Sequence, residues 1–174
     1  MKTSPVNKVI LLLATGLVLR AFLYYQPPVN TLKVGDSAPT FDITLTNGKT
    51  LKSEGLKGKP LVLFFYANWC PCSHNSAPLI QKAYEEYMES DINFMSIGIQ
   101  DGERDLKDFV KRHGFTFYTG TDTSGKISDA FGVITTPTTI IIDKDWKIGN
   151  LIVGKVKALK ALEEKISEVK YGRV

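Results

Sequence analysis

One uninterrupted apolar run, Leu61 to Tyr66, constrains the fold of this chain more than any other stretch of its sequence. Pro60 precedes the run and a polar turn follows it. A strand with one solvent-facing side alternates apolar and polar residues, so a continuous run of this length predicts a central strand buried on both faces. Such a strand needs a layer of structure on each side of its sheet.

Helical and strand patterns alternate along the rest of the chain. Upstream, residues 41–45 alternate at period two and Asn47-Gly48 predicts a tight turn, so an N-terminal hairpin with 49–51 as its second strand is expected. Downstream, the pattern predicts a helix with its apolar face at 79–87 and Pro78 as a kink or close to its first full turn, a strand at 92–99, a helix at 103–112 that ends at Gly114, strands at 138–142 and 147–153, and a final helix carrying Val156, Leu159, Leu162, Ile166 and Val169. This order predicts an α/β fold with helices on both faces of the sheet.

The N-terminal segment carries the basic excess of the chain. The 174 residues include 22 Lys plus Arg and 18 Asp plus Glu, a net charge of +4. Three of these basic residues and no acidic residue precede Thr31, which leaves 19 basic and 18 acidic residues and removes the case for nucleic-acid binding. The span Val9 to Tyr25 is apolar apart from a few residues such as Arg20, and as a helix it would be roughly 26 Å long. It predicts an uncleaved signal anchor that crosses the cell membrane once, with a cleaved signal peptide as the alternative.

Paired prolines at 27 and 28 predict an extended linker after the anchor. The predicted organisation is therefore a membrane segment at 1–25, a linker at 26–33 and a folded domain at 34–174. Because the N-terminal lysines are expected to stay in the cytoplasm, the folded domain is expected on the extracytoplasmic side of the membrane.

Both cysteines of the chain lie in one tripeptide, Cys70-Pro71-Cys72, directly after the buried strand and before a predicted helix. Unpaired N–H groups and the positive end of the helix dipole favour a thiolate at this position. A thiolate here can attack a disulfide in a partner, and a second thiol can resolve the mixed disulfide. The sequence therefore predicts Cys70 as the nucleophile and Cys72 as the resolving or second thiol.

Five segments of the sequence together resemble one known family. They are 34–39 with Phe41, 56–60, 67–70, 131–133 and 135–139, and they extend over about Val34 to Val153. The chain resembles the thioredoxin superfamily and, within it, membrane-tethered thiol-disulfide oxidoreductases of the ResA and TlpA kind, with an AhpC/TSA-redoxin-like domain. The resemblance implies a thioredoxin-like fold with a central mixed sheet, no cofactor, and protein thiols and disulfides as substrates. It also implies a role in cytochrome c maturation or envelope redox homeostasis, with apocytochrome c and a membrane thiol donor as candidate partners.

The resemblance further implies the residues that bind a substrate. Pro137 matches the family's cis-proline, whose loop, including Thr136, faces the cysteines and pairs with an extended segment of the substrate. Trp69 and Pro71 are expected to contact the substrate near the entrance to the site.

The cysteine motif departs from the family pattern. Relatives have two residues between their cysteines, whereas this chain has one, and the interval from Cys70 to Pro78 is unchanged. Ser73 therefore stands where relatives have the resolving cysteine. Side chains two apart on a helix point to nearly opposite sides, so a Cys70–Cys72 disulfide requires the first turn to unwind or to start later. If this strained bridge forms, it makes the domain more oxidising; if it does not, Cys70 acts alone.

Two carboxylates of the family are also replaced. Ser76 stands two residues before the helix proline, and Phe64 stands where thioredoxin has a buried acid. His74 is the titratable side chain within reach by sequence, and it is expected to be either a proton relay or charge partner for the thiolate, or a solvated first-turn residue. His113 is expected to be an ordinary capping residue at a helix end.

Three other functions compete with this interpretation. A peroxiredoxin-like peroxidase needs a hydroxyl three residues before its cysteine and a proline four residues before that, where this chain has Ala67 and Leu63. Copper binding and delivery would use Cys70, Cys72 and His74 as ligands for Cu(I), although no metal site is predicted in the preferred interpretation. The third alternative is a thioredoxin-fold adaptor with inert thiols.

Overall fold

The apolar run at 61–66 forms the central strand of a five-stranded mixed sheet. The computed structural model describes residues 14–17, 19–20, 23–24, 31–99 and 102–172. The strands are β1 (Asp42–Thr44), β2 (Thr50–Lys52), β3 (Leu61–Tyr66), β4 (Asn93–Ile99), β5 (Tyr118–Asp122), β6 (Thr138–Ile142) and β7 (Ile148–Val153). The helices from residue 31 onward are a 3₁₀ turn (Ser53–Leu56), α1 (Pro71–Tyr87), α2 (Glu103–His113), α3 (Lys126–Ala130) and α4 (Leu159–Tyr171).

The strand order of the sheet is β5-β4-β3-β6-β7. β3 pairs in parallel with β4, where Leu61 lies opposite Asn93, and antiparallel with β6, where Leu61 lies opposite Ile142. The β4–β5 pair is parallel and the β6–β7 pair antiparallel. All six residues of β3 are buried, which confirms the prediction of a central strand covered on both faces.

Alternate residues of β3 belong to two separate hydrophobic cores. Val62, Phe64 and Tyr66 pack with apolar residues of α1, α2 and α4. Leu61, Leu63 and Phe65 pack with the β1–β2 hairpin and with Ile127 and Phe131 of the α3 segment. The predicted helices on both faces are confirmed, but three helices cover one face while the short α3 and the hairpin cover the other.

Two elements of the fold, β5 and α3, have no clear sequence pattern and were not predicted. β5 reads Tyr-Thr-Gly-Thr-Asp, with little apolar alternation. Its glycine is required by packing, because a Cβ at Gly120 would lie 2.6 Å from side-chain carbons of Ile43 on the hairpin. α3 has five residues, too few for a helical period to be recognised.

The predicted boundaries of the remaining elements agree with the structure to within a few residues. The hairpin, β4, α2, β6, β7 and α4 are present, and Gly114 ends α2 in the left-handed conformation at φ 66°. Pro78 lies inside α1, which starts at Pro71. Trp146, in the predicted turn between β6 and β7, has a positive φ of 62°.

Little of the predicted membrane segment falls within the described residues. Residues 14–17, 19–20 and 23–24 are helical and exposed. Among the described parts of the chain, no helix combines the length and the apolar content needed to cross a membrane. The rest of 1–25 and residues 26–30 lie outside the described residues, so the anchor and the division into three segments stay predictions.

Candidate active site

The two cysteines lie at the start of α1 with opposite exposure. Cys70 is the N-cap residue, with extended backbone angles of φ −92° and ψ 114°, and its backbone N–H donates to the carbonyl oxygen of Ala67 at 3.0 Å. Cys70 is buried and Cys72 is exposed, and both are free thiols. This difference in exposure agrees with the expectation that side chains two residues apart on a helix point to different sides. Pro71, the first residue of α1, is exposed.

The environment of Cys70 favours the thiolate. Burial raises the pKa of the Cys70 thiol, but hydrogen bonds from the backbone and side chain of Ser73, from the backbone of Cys72 and from Thr136 together outweigh it, so the pKa is lowered below 9.0. These donors belong mostly to the first turn of the helix, as the sequence predicts. Cys70 therefore has the microenvironment of a reactive thiol rather than of an inert buried one.

The loop before β6 faces Cys70. The Thr136–Pro137 peptide bond is cis, as the resemblance implies. The thiol of Cys70 donates to the carbonyl oxygen of Thr136 at 3.4 Å. On the other side of the loop, the backbone N–H of Gly154 donates to the carbonyl oxygen of Pro137 at 2.8 Å, which fixes the loop to the end of β7.

A groove of about 480 Å³ runs along the cysteine and this loop. The groove is lined by Trp69, Cys70, Ile134 and Thr136, and by polar residues of the α3 segment such as Asp129. Trp69 is 69% exposed and Ile134 is 72% exposed, although both are large apolar side chains. Exposed apolar residues beside a reactive thiol are typical of a surface that binds another molecule.

Ser73 and Ser76 are both fully buried and replace residues that relatives use chemically. The Ser73 hydroxyl accepts a hydrogen bond from the backbone N–H of Ala67 at 3.2 Å, so it holds the loop as well as supporting the Cys70 thiolate. The Ser76 hydroxyl donates to the carbonyl oxygen of Cys72 at 2.9 Å and accepts from the backbone N–H of Val156 at 3.1 Å. The sequence indicates that Ser73 stands at the position of the resolving cysteine, but it does not predict that the Ser73 hydroxyl binds the loop and lowers the pKa of Cys70.

The two histidines contact each other. Nδ1 of His74 lies 2.8 Å from Nε2 of His113, and Nε2 of His74 lies 2.6 Å from the carbonyl oxygen of Asn68. Burial, followed by the nearby His74 and Arg112, lowers the pKa of His113 to about 4. His113 is therefore a neutral partner in a side-chain network rather than an ordinary capping residue. No sequence signal links two residues 39 apart.

His74 uses both ring nitrogens for these contacts. The suggested role of His74 as a proton relay for Cys70 stays a prediction, since its hydrogen-bond partners are Asn68 and His113. The same contacts leave neither nitrogen free to join Cys70 and Cys72 around a copper ion. Among the described residues, no group of three or more His, Cys, Asp or Glu side chains is placed to hold a metal.

Phe64 fills the place of the buried acid of thioredoxin. It is fully buried and stacks on Tyr66 with ring centroids 5.9 Å apart. Ala67 and Leu63, the two positions at which a peroxidase needs a hydroxyl and a proline, are also fully buried. The site therefore has aromatic and aliphatic packing at the positions where thioredoxin has an acid and where a peroxidase needs a hydroxyl and a proline.

The fold and the site together define a thioredoxin-like thiol-disulfide oxidoreductase domain, and comparison with known proteins agrees. Residues 34–150 match the model of the AhpC/TSA family. The chain belongs to this family, in the thioredoxin superfamily. It is 30% identical over 164 residues to the thiol-disulfide oxidoreductase ResA of Bacillus cereus, covering 92% of this chain and 93% of the relative. It is 31% identical over 150 residues to ResA of Bacillus anthracis, covering 84% and 86%.

Solved structures show the same fold. A protein of Chlorobium tepidum assigned as thiol:disulfide interchange protein DsbE has a TM-score of 0.74 and 26% identity, covering 80% of this chain and 99% of that protein. A Bacteroides thetaiotaomicron protein assigned as a protein disulfide isomerase has a TM-score of 0.73 and 26% identity, covering 80% and 91%. The family and the class of enzyme expected from the resemblance are thus confirmed.

Proposed function

We propose that this enzyme exchanges disulfides with exported proteins on the outer side of the cell membrane, with Cys70 as the nucleophile. The observation that carries the proposal is the position of the Cys70 thiol, 3.4 Å from the carbonyl oxygen of Thr136 and open to the groove beside Trp69 and Ile134. A cis-proline loop next to a thiolate suits an extended protein segment that pairs with the loop backbone.

The reaction proceeds in two exchanges. The Cys70 thiolate attacks one sulfur of a partner disulfide, that S–S bond breaks, and the other partner sulfur leaves as a thiolate. The Cys72 thiolate then attacks the Cys70 sulfur of the mixed disulfide, releases the second partner thiolate and closes a Cys70–Cys72 bridge. Two electrons have then passed to the partner, and the reverse sequence oxidises it. Because Cys72 is exposed while Cys70 is buried, the second exchange requires the first turn of α1 to open.

The partners we propose are exported proteins that present a disulfide in an extended segment, with apocytochrome c as one candidate, and a membrane thiol donor that returns electrons. The support for this part is the family resemblance, together with the apolar groove that a protein segment would cover. The basic and apolar N-terminal sequence supports anchoring at the membrane with the folded domain outside.

Trapping of the mixed disulfide tests the exchange. In a Cys72→Ser variant the first exchange still occurs but the second is blocked, so a disulfide-linked partner accumulates and is identified after separation under non-reducing conditions. The matched control is Cys70→Ser, which leaves Cys72 intact and is expected to trap at least 10-fold less. Equal trapping by both variants would show that Cys70 is not the nucleophile.

Labelling in intact cells tests the location. Cys72 is exposed, so a membrane-impermeant maleimide is expected to label it in intact cells as completely as in lysed cells. Labelling that appears only after lysis would contradict the extracytoplasmic location without affecting the trapping result.

A further inference from the structure

The loop that carries the nucleophile, Ala67 to Cys70, is connected to the first turn of α1 by two side chains. The Ser73 hydroxyl accepts from the backbone N–H of Ala67 at 3.2 Å. His74 Nε2 lies 2.6 Å from the carbonyl oxygen of Asn68. Because a carbonyl oxygen only accepts, Nε2 of His74 carries the proton of this hydrogen bond.

The same loop is also connected to α2. The side-chain Nδ2 of Asn68 donates to Oδ1 of Asp105 at 3.3 Å, and the other oxygen of Asp105 accepts from the backbone N–H of Gly102 at the start of α2. At the far end of α2, Nε2 of His113 contacts Nδ1 of His74 at 2.8 Å. Asn68 is thus held through its backbone by one histidine and through its side chain by Asp105.

Aromatic packing fixes the two imidazole rings in place. The Phe109 ring packs beside both imidazoles, with its centroid 4.9 Å from that of His74 and 4.5 Å from that of His113. Phe109 also stacks on Tyr66, at the end of the central strand, with their ring centroids 3.9 Å apart. His74 and His113 therefore pack against buried aromatic residues of the hydrophobic core.

We propose that His74 and His113 act as a pair of positioning residues that hold the Asn68 carbonyl, and through it the Trp69–Cys70 segment, in the geometry needed for exchange at the thiol. This inference rests on the proposed nucleophilic role of Cys70. His74 binds the loop, and His113 fixes the orientation of the His74 ring. Neither residue touches the sulfur in any hydrogen bond that the structure describes.

The contact between the two rings requires at least one of the histidines to be neutral. With Nε2–H of His74 directed at Asn68, Nδ1 of His74 accepts from Nε2–H of His113, or a protonated His74 donates from Nδ1 to a bare Nε2 of His113. Protonation of both rings would place two N–H groups 2.8 Å apart and break the contact. Among the described groups, Arg112 of α2 interacts electrostatically with His113, Asp105 of the same helix binds Asn68, and Phe115 adds an apolar ring beside His113.

The test measures Cys70 in the full chain with Cys72→Ser, so that a single thiol reports. The pH profile of iodoacetamide alkylation gives the pKa of Cys70 and the rate of its thiolate. With His74→Ala or His113→Ala we expect the rate at pH 7 to fall 3- to 10-fold, because the loop no longer holds Cys70 against its donors. With His113→Gln, whose amide nitrogen can still donate to Nδ1 of His74, we expect at least half of the wild-type rate.

Lys111→Ala, an exposed change on the same helix, is the matched control. A purely structural role would lower the melting temperature of all three histidine variants and leave the alkylation profile of the folded protein unchanged, and that outcome would overturn the proposal. If His74→Ala fails to fold, the contrast between His113→Ala and His113→Gln decides alone. If the histidine variants alter the alkylation profile but the trapping experiment fails, the proposed function is rejected and the positioning role is kept. If trapping succeeds but the alkylation profile is unchanged, only the positioning role is rejected.

Discussion

The thiol of Cys70 lies 3.4 Å from the carbonyl oxygen of Thr136, so the proposed nucleophile faces the backbone with which a substrate segment is proposed to pair. The thiol proposed to react and the backbone proposed to bind the substrate are therefore in direct contact. In the proposed binding mode, a substrate disulfide that forms backbone hydrogen bonds with the loop would present its sulfur to Cys70 without a further movement of the domain.

Substitution in the groove should affect protein substrates and spare small reagents. Ile134 is 72% exposed, so Ile134→Ser is expected to raise the KM for a protein disulfide about 3- to 10-fold through the loss of roughly 1 kcal/mol of apolar contact. Its alkylation rate with iodoacetamide should stay unchanged. The control is Met88→Ser, an exposed apolar residue at the other end of α1. A KM that responds equally to both variants would rule out the groove as the binding surface.

Removal of the Ser73 hydroxyl should weaken the nucleophile. The side chain of Ser73 helps to lower the pKa of the Cys70 thiol, so Ser73→Ala raises that pKa and moves the midpoint of the alkylation profile to higher pH. We expect a fall of about 3- to 10-fold in the rate below the midpoint, because a smaller fraction of the thiol is ionised.

Ser76→Ala provides the matched control for that measurement. Ser76 is an equally buried serine on the same helix, but its hydroxyl bonds to Cys72 and Val156. The Ser76→Ala variant should lower the free energy of unfolding by about 1–2 kcal/mol and leave the midpoint of the Cys70 alkylation profile unchanged. A midpoint that moves in both variants would attribute the effect to the helix and not to the Ser73 hydroxyl.

The stability of the domain should fall between pH 6.5 and pH 4. Burial lowers the pKa of His113 from 6.5 to about 4, so the unfolded chain binds a proton in this window that the folded chain does not. The contribution of neutral His113 to the free energy of unfolding is fully present above pH 6.5 and is lost as the pH falls towards 4. We expect a loss of about 1.5 kcal/mol for a partly exposed ring, after allowance for solvent screening. Urea titrations of wild type and His113→Gln at pH 7 and pH 4.5 measure it, and a His113→Gln protein with the same pH dependence as wild type would contradict it.

A methyl group at Gly120 should destabilise the contact between β5 and the hairpin. The added Cβ would lie 2.6 Å from side-chain carbons of Ile43 and 2.8 Å from the carbonyl oxygen of Thr44. Gly120→Ala is expected to cost about 1–3 kcal/mol because the hairpin has to move outwards. Gly55→Ala, with nothing within 4 Å of its new Cβ, is the control. Thermal unfolding of both variants measures the difference, and equal melting temperatures would contradict it.

Sequence reasoning succeeded where local pattern and tertiary structure agree. The apolar run of β3 is buried on both faces because it lies at the centre of the sheet, and the lowered pKa of Cys70 follows from hydrogen bonds at the start of a helix. It did not find β5, whose glycine is explained only by the approach of Ile43. The contact between His74 and His113 also has no local signal, since it exists only once α2 packs beside α1. Contacts of this kind depend on chain topology, which spacing along one segment does not specify.

Because Cys70 is buried and Cys72 is exposed, we expect the two thiols to meet reactants of different size. Small oxidants and low-molecular-weight thiols from the solvent are expected to meet Cys72 first, whereas a protein segment bound along the Thr136 loop in the proposed way would meet Cys70. If the two cysteines form one redox pair, as proposed, the single-residue spacer gives each of them its own route of access, and electron transfer between them depends on how readily one turn of helix opens.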